Sequence, residues 1–572
     1  MTMKGHGMFS SLPTDAQNLL SWPWAEIEPY YNDLEKRALT AQTVDAWMAD
    51  WSAIHSLVDE AYNRLYVMST VNTADQDAKA LFDAYLDNVQ PQFKQAEQRL
   101  KQKLLASGLC PTGFELPLKR MRVEAEIFRT ENLPLQAREQ KLRQRYGAIT
   151  GSQTVQWDGA ERTVTQLKPV YQEQDRERRE RAWRLVAQRQ LQDRAALNDL
   201  WREYFPLRQR IAANAGLANY RDYRWRSLAR FDYTPDDCLR FHDAIAEVAV
   251  PAAAALQMEK ARRLGLPALR PWDGAVDPLR RPPLKPFASM DELTARTATI
   301  FKALDPALGG YFDTMVNEQL LDLENRPNKR PGGYCTTFAA AKRPFIFANA
   351  VGVQGDVETL LHESGHCFNA FESAALPYVQ QTEPPMEFAE VASMGMELLA
   401  GPHLGAFYPA AEAARALIDH LEGIILFWPA MAVVDAFQHW AYLHPDEAAD
   451  PARCDNEWLR QSRRFETGTD WSGLDDVRMT GWHRRLHIFI HPFYYIEYGL
   501  AQLGAVQLWG NSLADPAGAL AAYRRALALG GTRPLPELFA AAGSRFSFDA
   551  GTLRDAIGLI TAQIGRLRGA VA

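Results

Sequence analysis

The chain has 572 residues, 47% of them hydrophobic and 23% charged, which is the balance of a soluble globular protein with a large core. Its formal net charge of −7 gives no general attraction to nucleic acid or to anionic lipid, so neither is expected as a partner. The five cysteines are scattered without CxxC spacing, and the N-terminus lacks the apolar segment of a signal peptide. Both features predict a reducing, cytoplasmic location.

The first third of the chain is predicted to be helical. Apolar residues recur there at three- and four-residue intervals, which is the period of an amphipathic helix. This pattern predicts three helices, over residues 22–39, 44–69 and 78–105. The first β signal comes within residues 153–167, where Asp158–Gly159 separates two β-rich runs and predicts a hairpin.

The middle of the chain alternates between helical and irregular segments. Residues 172–194 are rich in arginine, but acidic residues are interspersed, so a solvated helix is favoured over a nucleic-acid surface. Proline and glycine in residues 264–287 predict an ordered loop between helical blocks. A short hairpin or small sheet is expected within 332–352, and helix from 383 almost to the end. The apolar run 424–434 is too short to span a bilayer and is expected to be a buried helix.

The segment VETLLHESGHCFNAF, residues 357–371, has the HExxH pattern of a zinc peptidase. In a helix, His362 and His366 lie on one face and can bind one ion, while Glu363 can reach a water beside it. Gly365 costs this helix about 1 kcal/mol relative to alanine. A close backbone approach, for instance by a substrate-binding strand formed by PFIFANAVG, would explain why it is there.

A catalytic zinc site needs a third protein ligand. The stretch 383–401 is predicted to form a second helix that returns antiparallel to the first. Glu387, Glu390 and Glu397 fall near one stripe of this helix, and their spacing alone leaves all three open as the ligand. Glu397 could instead orient a ligand histidine, or could be a surface carboxylate.

Four segments together resemble the thimet oligopeptidase and oligoendopeptidase F family of zinc metallopeptidases, particularly the oligoendopeptidase F branch. They are GGYCTTF, HESGH with its preceding residues, FAEVAS at 388–393, and HIFIHPFYYIEYGLAQL at 487–503. The resemblance implies one Zn²⁺ per chain, held by His362, His366 and Glu390. It also implies a mainly α, zincin-like helical bundle with a deep substrate channel and a small β element beside the HExxH helix. An N-terminal helical region, 1–190, would precede a catalytic domain, 191–572.

The activity implied is that of an endopeptidase that hydrolyses internal bonds of short unfolded peptides, with Glu363 moving the proton of the attacking water. The resemblance leaves the donor to the oxyanion open, because the interval from His487 to Tyr494 is two residues longer than in the thimet branch. The candidate donors, of which the first two are favoured, are His487, Tyr498, Tyr494 and Tyr495. The candidate substrate-binding residues are Gly333, Tyr334, Phe347, Ala348 and His491.

Two other functions compete with this one. A carboxypeptidase or dipeptidase of the angiotensin-converting-enzyme type shares the plan of HExxH plus a distant glutamate, and would need a cation for the C-terminal carboxylate of its substrate. A zinc-stabilised helical scaffold without catalysis would have no need of Glu363. The sequence does not define the oligomeric state.

Overall fold

The computed structural model describes residues 7–570, which form a mainly α-helical protein with two small β-sheets, as predicted. The helices are α1 (Trp24–Lys36), α2 (Val44–Val71), α3 (Gln76–Asn88), α4 (Gln90–Ser107), α5 (Glu115–Ile127), α6 (Asn132–Gly151), α7 (Arg176–Gln192), α8 (Arg194–Asn214), α9 (Tyr220–Ser227), α10 (Pro235–Ala244), α11 (Val250–Leu264), α12 (Met290–Leu304), α13 (Pro306–Asn317), α14 (Gln354–Ser373), α15 (Met386–Ala400), α16 (Ala410–Leu443), α17 (Pro445–Ala448), α18 (Pro451–Phe465), α19 (Asp475–Met479), α20 (Leu486–Ile490), α21 (Tyr495–Ala514), α22 (Pro516–Leu527), α23 (Leu535–Ala541) and α24 (Ala550–Ala570). The strands are β1 (Thr154–Trp157), β2 (Ala160–Thr163), β3 (Leu321–Glu324), β4 (Tyr334–Phe338) and β5 (Arg343–Ala350).

The N-terminal helices agree with the sequence pattern except at one point. The single helix predicted over 78–105 is two helices, α3 and α4, which are separated at Val89. Pro91 stands in the first turn of α4, where its missing amide hydrogen costs nothing. The apolar period continues across the break because both helices pack into the same core, through residues such as Phe82 and Phe93. Periodicity alone therefore does not show the break.

The hairpin expected around Asp158–Gly159 is confirmed. Strands β1 and β2 are antiparallel, with Trp157 opposite Ala160. Asp158 and Gly159 both have positive φ, 51° and 78°, as a two-residue type I′ turn requires. Residues 176–192 form the predicted solvated helix α7, and the loop expected over 264–287 is largely irregular.

A three-stranded sheet precedes α14, where a small sheet was predicted. Its strand order is β3-β5-β4, with β5 parallel to β3 and antiparallel to β4. Strand β5 is therefore central, and β4 has one edge without a strand partner among residues 7–570. Ile346, Ala348 and Ala350, at alternate positions of β5, are buried in the core beneath this sheet, so the sheet holds the start of α14 in place.

Two large hydrophobic cores support the molecule. One lies among α1 to α5, and the other extends from α6 to α24 and includes α14, α15 and α21. Within residues 7–570, α16 is the helix that has the length and composition of a membrane span. Its residues Trp428, Met431 and Val434 are fully buried in the second core, as expected for the apolar run 424–434.

Candidate metal centre and active site

The centre of the site is the contact between α14 and α15. Gly365 of α14 lies directly against the backbone of Ala392 and Ser393 in α15, with no room for a Cβ atom. The close approach predicted for Gly365 is therefore present, but its partner is α15 and not a substrate-binding strand. His366 contacts Glu390, whereas His362, one turn earlier in α14, also contacts Glu397, two turns later in α15, so the two helices run antiparallel, as the sequence suggested.

This contact brings three candidate metal ligands together. Nε2 of His362 lies 3.3 Å, and Nε2 of His366 3.6 Å, from Oε2 of Glu390. The ligand atoms of the three residues all lie within 4.8 Å of one another. Two imidazole nitrogens and one carboxylate oxygen form the donor set of catalytic zinc sites, so these residues fit Zn²⁺.

Glu397 orients the first of these histidines. Its Oε1 accepts a 2.6 Å hydrogen bond from Nδ1 of His362, and its Oε2 lies 2.9 Å from Nε2 of His420. With the proton on Nδ1, a neutral His362 keeps Nε2 free for an ion. Of the two roles considered for Glu397, the structure favours the orienting one over the surface one.

Charge compensation explains how these groups are buried. Burial opposes ionisation of Glu390 and Glu397, but the neighbouring histidines outweigh it and lower the pKa of each carboxyl to about 2. Burial also opposes the charged form of His362, but Glu390 and Glu397 outweigh it and raise the pKa of the imidazole well above its ordinary value. A cation is thus favoured between these carboxylates.

Glu363 has the environment of a general base. Its Oε2 has no hydrogen-bond partner within residues 7–570, and its Oε1 would lie 3.0 Å from a Cβ on Gly333. Burial, with Glu390 and Glu397 nearby, raises its pKa to about 7 even though His362 acts in the opposite direction. A carboxyl group with this pKa can exchange a proton near neutral pH.

The histidine–tyrosine block, residues 487–498, lies against the three candidate ligands. Tyr494 donates a hydrogen bond to Oε1 of Glu390, and Nε2 of His487 lies 3.2 Å from the hydroxyl of Tyr498. His487, His491, Tyr494 and Tyr498 all line the cavity described below. Tyr495 does not line it and packs against the ring of His487 and against Phe427. It is therefore the one candidate donor that the structure does not bring to the cavity.

The turn that carries these side chains has a strained conformation at Phe493, whose φ is 65°. Two buried side chains hold it there. Oε1 of Gln438 accepts a hydrogen bond from the Phe493 amide at 2.7 Å, and Arg230 donates to the Phe493 carbonyl. Arg230 is itself paired with Glu497 at 2.7 Å.

The predicted substrate-binding residues divide into two groups. Gly333 and Tyr334 line the cavity, as does His491. Phe347 and Ala348 are buried in β5 and do not line the cavity, so the structure does not bring them to the site. Edge pairing by PFIFANAVG was wrong for the same reason, because β3 and β4 occupy both edges of β5. The strand that faces the cavity is β4.

A cavity of about 2110 Å³ runs over this site. One wall is formed by α14, α15 and β4, and the facing wall by N-terminal helices that contribute residues such as Asp59, Tyr62 and Arg143. A cavity of this size between the two cores is the deep channel that the sequence resemblance implied.

Sequence reasoning missed three residues that support the site, namely His420, Arg230 and Gln438. Each acts through a partner more than twenty positions away: His420 through Glu397, and the other two through Phe493. They belong to no local motif. Each also has polar or charged neighbours in the sequence, so no local signal distinguished them.

The comparisons with known proteins agree with this geometry. Residues 170–556 match the model of peptidase family M3, and residues 22–111 match a peptidase M3 N-terminal domain. No curated protein matches the chain.

Solved structures match almost the whole chain. PZ peptidase A, solved with an inhibitor, is 26% identical with a TM-score of 0.90, and the match covers 98% of this chain and 99% of that one. A protein provisionally described as an oligoendopeptidase F is 27% identical with a TM-score of 0.91, covering 97% and 98%. Another such protein, from Bacillus anthracis strain Ames, is 24% identical with a TM-score of 0.86, covering 95% and 96%, and shows the shared fold.

Proposed function

Because the chain belongs to peptidase family M3, we propose that it is a zinc-dependent endopeptidase that hydrolyses internal bonds of short unfolded peptides. The observation that carries this proposal is the convergence of His362, His366 and Glu390 beside Glu363, one of whose carboxylate oxygens has no hydrogen-bond partner within residues 7–570. Zinc held by these three ligands would polarise the scissile carbonyl and lower the pKa of the attacking water.

Glu363 moves the proton in this proposal. Its Oε2 takes a proton from the attacking water and then delivers it to the leaving amine nitrogen. Gly333 packs against its other oxygen, so the carboxylate has a fixed orientation in a site shielded from bulk water. The pKa of about 7 lets the same group act as base and then as acid.

Tyr498 is the proposed donor to the developing oxyanion, with His487 beside it. Burial raises the pKa of Tyr498 well above its ordinary value, so the phenol keeps its proton at neutral pH and can donate it in a hydrogen bond. Burial also lowers the pKa of His487 to about 4, so its imidazole is neutral. Tyr494 has a different role, because its hydroxyl is engaged by the ligand Glu390.

The open edge of β4 is proposed to bind the peptide backbone. Its residues Tyr334, Cys335 and Thr336 line the cavity, and the strand immediately follows Gly333, which contacts Glu363. An extended peptide that pairs with this edge would place one amide bond opposite the general base. The sequence predicted backbone pairing with the substrate for β5, and we now propose it for β4.

The enclosure of the site supports short, unfolded substrates. The cavity lies between two large hydrophobic cores, so a folded protein would have to unfold before one of its peptide bonds could reach Glu363. A peptide in an extended conformation needs no such step.

One observation favours a carboxypeptidase or dipeptidase as the second candidate. Arg143 and Arg330 line the same cavity, and Nε of each is buried without a hydrogen-bond partner within residues 7–570. Such guanidinium groups could bind a free C-terminal carboxylate. An internally quenched peptide blocked at both ends separates the two activities, because an endopeptidase cleaves it and an exopeptidase does not.

The decisive variant is Glu363→Gln, with Glu358→Gln as its matched control. Both glutamates lie in α14, line the cavity and have a pKa raised to about 7 by burial. We expect Glu363→Gln to abolish cleavage while the zinc content stays at that of the wild type, and Glu358→Gln to retain cleavage. Full activity of Glu363→Gln would contradict the proposed mechanism. If the wild type and both variants bind zinc but none of them cleaves a peptide, the non-catalytic scaffold is favoured.

A further inference from the structure

A second cluster of metal-ligating side chains lies between α10 and α16. Cys238 and His242 are four residues apart on α10, and Asp435 and His439 are four residues apart on α16. Residues at this spacing share one helix face, so each helix presents a pair of donors to the other. None of the four residues lines the large cavity, so this cluster is separate from the peptidase site.

The donor atoms are close enough to share one ion. Those of Cys238, Asp435 and His439 all lie within 4.8 Å of one another. Nε2 of His242 donates a 2.9 Å hydrogen bond to Oδ2 of Asp435, and Nε2 of His439 lies 3.3 Å from the same oxygen. Around a tetrahedral zinc ion with bonds near 2.0–2.1 Å, nitrogen and oxygen ligands are about 3.3 Å apart. The separation of His439 and Asp435 equals that of the candidate catalytic ligands His362 and Glu390, 3.3 Å.

The cluster is buried and leaves several polar atoms without partners. Cys238 and Asp435 are 0% exposed, His242 is 1% and His439 is 3%. Within residues 7–570, no hydrogen-bond partner is present for Oδ1 of Asp435, for Nδ1 of His242 or for either nitrogen of His439. The aromatic rings of Trp225, Phe465 and Phe493 pack around the imidazoles. Burying so many unpaired polar atoms in an apolar shell is costly.

A hydrogen-bonded His–Asp–His network explains this arrangement less well than an ion does. His439 lies 3.3 Å from Asp435, yet its Nε2 is not aligned to donate a hydrogen bond to that carboxylate. A ligand nitrogen points its lone pair at the ion and not at its fellow ligand, so this misalignment is expected around a metal. The charges also balance, since Zn²⁺ with one thiolate, one carboxylate and two neutral imidazoles has no net charge.

We propose that Cys238, Asp435 and His439, with His242 as the fourth ligand, bind a second zinc ion. Thiolate and imidazole donors select zinc over magnesium or calcium, and four protein ligands make a closed, structural site. The ion would tie α10 to α16 directly behind the histidine–tyrosine block. The ring of His439 lies 5.4 Å from that of Phe493, and the neighbouring Gln438 holds the Phe493 amide.

Metal content tests this proposal without any reference to activity. The full-length protein is produced with zinc supplied, dialysed, and its zinc per chain is measured by mass spectrometry. We expect two ions in the wild type, one in Cys238→Ser and one in His362→Ala. Cys454→Ser is the matched control, because Cys454 is also fully buried but belongs to neither cluster of candidate ligands, and it should keep two.

Cobalt substitution gives a second measurement that needs no variant to fold. The candidate catalytic ligands are nitrogen and oxygen only, so a sulfur-to-cobalt charge-transfer band in the wild-type protein would come from the second site. The proposal is overturned if the wild type holds a single ion that only His362→Ala removes, or if the cobalt protein lacks the band. A band that survives Cys238→Ser overturns it as well. Because Cys238→Ser and His362→Ala remove different ions, failure of this proposal and failure of the proposed peptidase site are distinguishable.

Discussion

Gly365 and Ala392 are in direct backbone contact: a Cβ placed on Gly365 would lie 2.5 Å from the carbonyl oxygen of Ala392. Any side chain at position 365 would therefore push α15 away from α14. Glu390 lies on α15 within one turn of this contact, so the displacement would move it from His362 and His366. We predict that Gly365→Ala loses zinc and most peptidase activity, measured as zinc per chain and as the rate of cleavage of a quenched peptide.

Gly355→Ala is the matched control for this prediction. Gly355 lies in the first turn of the same helix, and a Cβ there would meet no atom within 4 Å. Alanine should leave zinc binding intact and could stabilise the helix by up to about 1 kcal/mol. If Gly365→Ala retained its zinc and its activity, close packing at Gly365 would not be what positions Glu390.

Gly365 is an example of what can and cannot be predicted from the sequence. An unfavourable glycine inside a helix predicted a close backbone neighbour, and the HExxH spacing predicted which side chains face the ion. The identity of the neighbour depended on how α15 folds back, which is a property of the tertiary structure. The central position of β5 was missed for the same reason, because strand order follows from pairing with β3 more than ten residues away and not from the local pattern.

Residues that act at long range were the hardest to predict. His420, Arg230 and Gln438 all have polar neighbours in the sequence, and their roles appear only when their partners are in place. The cluster of Cys238, His242, Asp435 and His439 had a local signal, two pairs at i, i+4 spacing. Nothing in the sequence indicated that α10 and α16 would face each other.

Glu397 is predicted to tune the affinity for zinc. Because it holds the Nδ1 proton of His362, Glu397→Gln should weaken the hydrogen bond that orients this ligand. Loss of such a partner typically costs 10- to 100-fold in metal affinity, and we expect a loss in that range. A competition titration with a chelator measures it. Glu372→Gln is the control, since Glu372 pairs with Arg524 at the far end of α14, away from the candidate ligands, and equal affinities in both variants would contradict the orienting role.

Tyr498 and Tyr495 are predicted to differ in their contribution to turnover. Tyr498 lines the cavity with its hydroxyl 3.2 Å from His487, whereas Tyr495 packs behind the same imidazole. Tyr498→Phe should lower kcat by about 10²–10³, the loss typical of one oxyanion donor, with little change in KM. Tyr495→Phe should leave kcat within a few-fold of the wild type. A larger loss in Tyr495→Phe than in Tyr498→Phe would reverse the assignment.

The last prediction concerns stability at acid pH and depends on Glu139 in α6. Its Oε1 accepts a 2.9 Å hydrogen bond from Arg208, which is fully buried. Burial opposes the charged form, but Arg143 and Arg208 outweigh it and lower the pKa of this carboxyl from 4.5 to about 2. A folded-state pKa below the unfolded value stabilises the protein above the unfolded pKa, and this stabilisation is lost as the pH falls from about 4.5 towards 2.

The variant Glu139→Gln tests whether the charged form of Glu139 stabilises the protein at neutral pH. At neutral pH we expect the variant to be destabilised by about 3 kcal/mol, because Arg208 is left buried without its anion. Below pH 4 the difference should shrink as Glu139 of the wild type becomes protonated. Urea titrations at several pH values measure the free energy of unfolding. Glu203→Gln is the control, since this glutamate pairs with Arg138 and Arg145 at the surface and should contribute at most about 1 kcal/mol. A difference between Glu139→Gln and the wild type that grows on acidification would contradict the lowered pKa.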